Sequence, residues 1–156
     1  MNAAMNLIQD AERAEDIGLA LSKFTDPVPD QASDITASIA ALYGIGSALR
    51  DIDADLNSAE YSRNIRLIDE DLSLVRSSLF HTLDNIFQIL GDLGDGSPLL
   101  TDGNYRQTWK DICLFFRYNG RTTLRMRLEI YRRMAGELAL IVQRFAVSLL
   151  QSNLFG

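Results

Sequence analysis

The sequence predicts an all-α protein: an up-and-down helical bundle of four core helices plus an N-terminal helix. Three observations point there. Apolar residues recur at three- and four-residue spacing along almost the whole chain. No stretch alternates β-branched and polar residues at the period of two that a strand needs. The breaks between periodic stretches are mostly short, and short links between long helices make antiparallel neighbours.

The first helix is expected over 3–24, with Leu7, Ala11, Ala14, Gly18 and Leu21 on one face. "TDPVPD" ends it, because two prolines in three residues cannot continue a helix. The face is shallow and the break reads as a hinge. Residues 1–30 are therefore expected to stand apart from the domain at 31–156, packed on another protomer or partly mobile. Ser33 or Asp34 can cap the second helix, 34–57, whose stripe is Ile35, Ile39, Leu42, Leu49, Ile52 and Leu56. Gly44 and Gly46 each weaken a helix by ~1 kcal/mol relative to alanine. Close approach of a neighbouring helix would compensate.

The third helix, 60–91, has the strongest pattern: Tyr61, Ile65, Ile68, Leu72, Val75, Leu79, Leu83, Ile86 and Leu90. "GDLGDGSPLLTDG" follows as the longest loop. Asp102 or Asn104 opens a fourth helix, 104–118, with Tyr105, Trp109, Ile112 and Phe116 on one side. Gly120 is placed to end it in a left-handed conformation. Thr122 or Thr123 starts the fifth, 122–151, along Leu124, Leu128, Tyr131, Ala135, Leu138, Val142, Phe145 and Leu149.

A chain of 156 residues, 47% hydrophobic and 23% charged, can bury a core and reads as globular and soluble. The single cysteine, Cys113, allows no internal disulfide and suits a reducing compartment. The N-terminus lacks the basic-then-apolar order of a secretory signal, and no apolar run approaches the ~18–20 residues of a membrane span. An intracellular, cytoplasmic location is expected.

Few residues suggest chemistry. "DIDADLNSAEYS" puts Asp51, Asp53 and Asp55 at the first three ligand positions of a calcium loop, but Leu56 replaces its glycine and Ser62 its glutamate. "GIGSAL" lacks the preceding strand and third glycine of a dinucleotide site. "GDLGDG" lacks the lysine and hydroxyl of a phosphate loop. His81 and Cys113 are the lone histidine and cysteine; the thiol, between Ile112 and Leu114, reads as a packed one. Asp84 follows His81 at ion-pair spacing. No catalytic residue, cofactor or metal is expected, and the chain is not read as an enzyme.

Charge is more informative. Residues 104–133 carry eight basic side chains against Asp111 and Glu129, a net of +6, whereas the whole chain is -6. On the last helix Arg125 and Arg132 lie within ~20° of each other, Arg121 falls within ~60° of them, and Arg127 borders the apolar stripe ~40° from Tyr131. Arg133 points to the far side. Positives spread in this way do not form one phosphate-binding strip, and arginine favours bidentate carboxylate pairing. Asp69, Glu70 and Asp71 on the third helix are the expected partners, with Arg127 reaching one of them across the seam between the third and fifth helices. The expected function is a non-catalytic protein-interaction or assembly module. Its partner is another protein, a second copy of the chain included. Anionic-lipid or nucleic-acid binding through the arginine-rich helices 104–133 is the alternative, and the geometry weighs against nucleic acid.

"SDITASIAALYGIGSALRDID", "YSRNIRLIDEDLSLVRSSLFHTLDNIFQILGDLG", "YRQTWKDICLFF" and "LRMRLEIYRRMAGELALIV" together resemble an uncharacterised helical region of filamentous fungal proteins. The resemblance covers about residues 33–145. It rests on the spacing of "IDEDL", on Tyr105, Arg106 and Trp109, and on "RLEIYRR". The arrangement is more loosely similar to N-terminal helical domains of fungal signalling and incompatibility receptors. That similarity implies an adaptor or assembly role and brings no catalytic residues with it.

Overall fold

Pro27 and Pro29 fix where the first helix must stop, and apolar periodicity fixes the rest. In a computed structural model, which describes residues 6–57, 65–91, 101–120 and 122–155, five helices result. They are α1 (Leu7–Ser22), α2 (Ala32–Leu56), α3 (Ile65–Leu90), α4 (Asp102–Gly120) and α5 (Leu124–Phe155). A short 3-10 turn, Pro29–Gln31, leads directly into α2. The all-α helical bundle is as expected. The calcium-like "DIDADLNSAEYS" runs as helix to Leu56, and its remainder from residue 58 lies outside the described residues.

Side-chain pairs give the helix directions. Gly18 lies against Leu42 and Tyr43, and Glu15 meets Arg50, so α1 and α2 are antiparallel. Asp10 meets Arg76 and Arg13 meets Phe80, so α3 runs parallel to α1. Asp34 meets Arg125 and Gly44 meets Arg132, so α5 runs parallel to α2. The long helices thus close a ring in the order α1, α2, α5, α3. α4 sits at the end where α1 finishes and α2 and α5 begin. Its Tyr105 and Trp109 reach Phe24, and its Phe116 lies under Arg127.

This corrects the expected roles. α1 is a full wall of the bundle: Leu7, Ala11, Ala14, Ile17 and Leu21 are buried in the same cluster as Leu128 and Val142. The small residues that made its face look shallow let α2 come close. The "TDPVPD" break is pinned as well. Phe24 and Val28 are each only 1% exposed, and Val28 N–H donates to the Phe24 carbonyl at 3.0 Å. No core boundary therefore falls at residue 30.

The glycines of α2 mark close approaches, as expected. A Cβ on Gly44 would lie 2.8 Å from Arg132 Cδ, and one on Gly46 would lie 2.8 Å from Glu15 Oε1. The helix ends differ from expectation in two places. Neither Ser33 nor Asp34 caps α2; its N-cap is Gln31, with no side-chain cap bond. Asp34 is instead drawn into an ion pair. Among the described residues the left-handed glycine is Gly91 after α3 (φ 49°), while Gly120 leaves room for the Arg127 guanidinium, which an added Cβ would overlap. Thr123 does cap α5: its Oγ1 accepts the Met126 N–H at 3.2 Å.

Candidate interaction surface

The arginines are drawn to carboxylates from several elements. Arg50 donates from Nε and Nη2 to the two oxygens of Glu15 at 2.9 and 2.8 Å, joining α2 to α1. The contact holds the Glu15 carboxyl below the ordinary glutamate range, through the Arg50 hydrogen bond against a smaller opposing effect of burial. Arg76 Nε donates to Asp10 at 2.6 Å, joining α3 to α1, in the least exposed of these pairs. Arg106 reaches Asp30 at 2.8 Å, and Arg125 reaches Asp34 at 2.9 Å. Arg132 forks onto Glu129 within α5, lowering the Glu129 carboxyl, while its aliphatic stem covers Gly44.

The expected pairing of Arg127 is therefore corrected. Its guanidinium lies 5.2 Å from the Phe116 ring centroid, a cation–π contact that ties α5 to α4. Asp69, Glu70 and Asp71 are exposed on α3 and form no ion pair among the described residues. Among the described residues, Asp10, Glu15, Asp30, Asp34 and Glu129 hold arginines instead. Arg121 lies outside the described residues. Across the α3–α5 seam the polar contact is neutral: the Thr82 and Tyr131 hydroxyls meet at 3.0 Å.

Cys113 is exposed, not packed as expected. It borders two clefts beside α4, of about 510 and 360 Å3, whose shared wall is Trp109. Partial burial of the sulfur, then the Asp34 carboxylate, push the thiol pKa up, so it is a weaker nucleophile than an ordinary cysteine. His81 is exposed on α3 and lies edge-on to Phe80, while Asp84 accepts from Gln88. The histidine and cysteine thus keep different neighbours. Among the described residues no three His, Cys, Asp or Glu side chains converge where they could hold a metal ion. No helix among them is long and apolar enough to cross a membrane.

What stands out is the outer face of α5. Its inner stripe, Leu124, Leu128, Ala135, Leu138 and Val142, is buried. On the opposite side Met126, Ile130, Leu140 and Ile141 are 56%, 44%, 53% and 39% exposed. With Arg133, Glu137 and Arg144 they fall within a ~100° arc at 100° per residue. All three charged residues are exposed. A helix apolar on two opposite faces has one face more than its own core uses. A second exposed apolar site lies between α1 and α3, where Phe87, 66% exposed, lines a cleft with Ile17 and Arg13, and the Arg13 guanidinium lies 4.5 Å from the Phe80 ring centroid.

Compared with protein-family models, with curated proteins and with solved structures, the chain matches none.

Proposed function

We propose that this chain is a non-catalytic protein-interaction or assembly module that docks its partner on the outer face of α5. The observation that carries the reading is the row Met126, Ile130, Leu140 and Ile141, exposed directly opposite the buried stripe of the same helix. Apolar residues gathered on one exposed face, with charges between them, are the usual make-up of a docking surface. The looser similarity to N-terminal helical domains of fungal signalling and incompatibility receptors would imply the same adaptor role, by analogy alone. An intracellular, cytoplasmic setting belongs to this proposal, and the lone Cys113 suits it.

Use of the arginines within the molecule supports this reading over phosphate binding. Arg106, Arg125 and Arg132 already hold carboxylates, and Arg127 covers Phe116. Immobilised wild-type protein and an Ile130→Asp/Leu140→Asp variant should be compared for the proteins they retain from a native lysate. A protein held by the wild type and lost by the variant is the expected result. Equal retention, or binding of phosphate-bearing vesicles or nucleic acid that weakens steeply with salt, overturns the reading.

A further inference from the structure

The order of residues on the α5 outer face carries information about the partner. Along it run Met126, Ile130, Arg133, Glu137, Leu140 and Arg144. These six are self-complementary when reversed; Ile141, at the edge of the arc, falls opposite Glu129. Turned end for end about residue 135, it sets Ile130 against Leu140, Arg133 against Glu137 and Met126 against the stem of Arg144. A two-fold axis generates each of these contacts twice, because residue i meets j and j meets i.

Other alignments of the same face are worse. A shift of one heptad in one direction sets Arg133 against Ile130. The opposite shift sets Arg133 against Arg144. A parallel pair stacks Arg133 on Arg133 and Glu137 on Glu137. Like-charge contacts of this kind discriminate against wrong registers. Among the described residues neither Arg133 nor Glu137 forms an ion pair within its own chain, so both charges are available to a partner.

We infer that the partner on this face is a second copy of the chain, docked α5 against α5, antiparallel, with the two-fold axis crossing the outer face between Arg133 and Glu137. This rests on the reading of the chain as an interaction module. About five turns of one helix per copy fall short of the ~1,600 Å2 of a standard interface. The dimer is therefore reversible and concentration-dependent.

Sedimentation of the purified full chain over a wide concentration range tests this. The wild type should pass from monomer to dimer. Arg133→Glu alone and Glu137→Arg alone should each weaken the dimer ~10-fold or more, since each faces two like-charge contacts. The double variant Arg133→Glu/Glu137→Arg should recover most of the wild-type affinity, because the pair is restored with its signs exchanged. Both positions are exposed, and thermal melting of each variant checks that it is folded. Recovery by the double variant is specific to this register. A dimer that the single changes leave intact, or that the double variant does not restore, overturns the proposal. So does a wild type that stays monomeric at all concentrations. If that monomer still loses a lysate partner on Ile130→Asp/Leu140→Asp, only self-pairing fails and the interaction module stands. If it loses none, both fall.

Discussion

α2 and α3 are nearly equal in length, yet they are held in opposite ways. α2 lies between α1 and α5 through small residues: Ala11, Ala14 and Gly18 on one side, Gly44, Ala48, Gly136 and Ala139 on the other. Backbones approach closely there, and the large side chains interleave around the contact. α3 stands further from its neighbours and bridges the gap with Leu72, Val75, Leu79, Leu83 and Ile86. The first kind of seam is sensitive to added volume, the second to lost volume. The difference also explains the unequal hydrophobic signal in the sequence. α2 mixes its small residues with a buried stripe of Ile35, Leu42, Ile45, Leu49 and Ile52, whereas α3 contains no glycine or alanine at all.

Truncation on the α3 side should give the largest effect. Leu72 is fully buried, and Leu72→Ala should cost ~2–5 kcal/mol in denaturant unfolding. A loss under ~1 kcal/mol would mean that α3 collapses onto the gap, and the contrast with α2 would be wrong. Enlargement on the α2 side comes next. Ala14→Leu should cost ~1–3 kcal/mol, because Ala14 is fully buried where α1 meets α2. Val75→Leu on α3 should cost less than Ala14→Leu. Equal costs would erase the distinction.

Attachment of α4 sharpens it further. Arg127→Ala should destabilise by ~0.5–1 kcal/mol more than Arg133→Ala, since only Arg127 covers an aromatic ring. Thermal melts of the two variants check this. Acid should have the smallest effect. Glu15 has its pKa lowered by Arg50, so its contribution is complete above the ordinary glutamate value of 4.5 and is lost as pH falls through the folded value. Wild-type stability should therefore fall more between neutral pH and that acid range than stability of Glu15→Gln. The α1–α2 pair is solvent-exposed enough that the difference is small.

Helix number and faces were legible in the sequence because periodicity records burial directly. Every residue of the expected α3 stripe from Ile68 to Leu90 is buried. Pairing was not legible. Arg125 and Arg132 were placed on one side of α5, and both do face α2, but the carboxylate each takes depends on which helices adjoin. Composition does not record adjacency. Asp69, Glu70 and Asp71 looked like partners because they cluster, whereas Asp10, Asp30 and Asp34 stand singly. Phe24 and Val28 were missed for a related reason. Two apolar residues four apart in a proline-broken link form no stripe, yet they plug the end of the bundle under Tyr105 and Trp109. The same spacing inside a helix would have been read as core. The outer row on α5 is hard to see in the sequence because the same helix carries a second, longer apolar stripe that the core uses.

The parallel seam between α2 and α5 has a consequence for synthesis. Glu15 and Arg50 are 35 positions apart, so α1 and α2 can fold on each other soon after both leave the ribosome. Asp34 and Arg125 are 91 apart. At ~5–20 residues per second, translation from the end of α2 to the start of α5 takes roughly 3–14 s. Throughout that interval Gly44, Ala48 and their apolar neighbours on α2 have no covering helix. The nascent chain therefore carries this flank of α2 uncovered until α5 is made. A pause before residue 124 would lengthen that exposure.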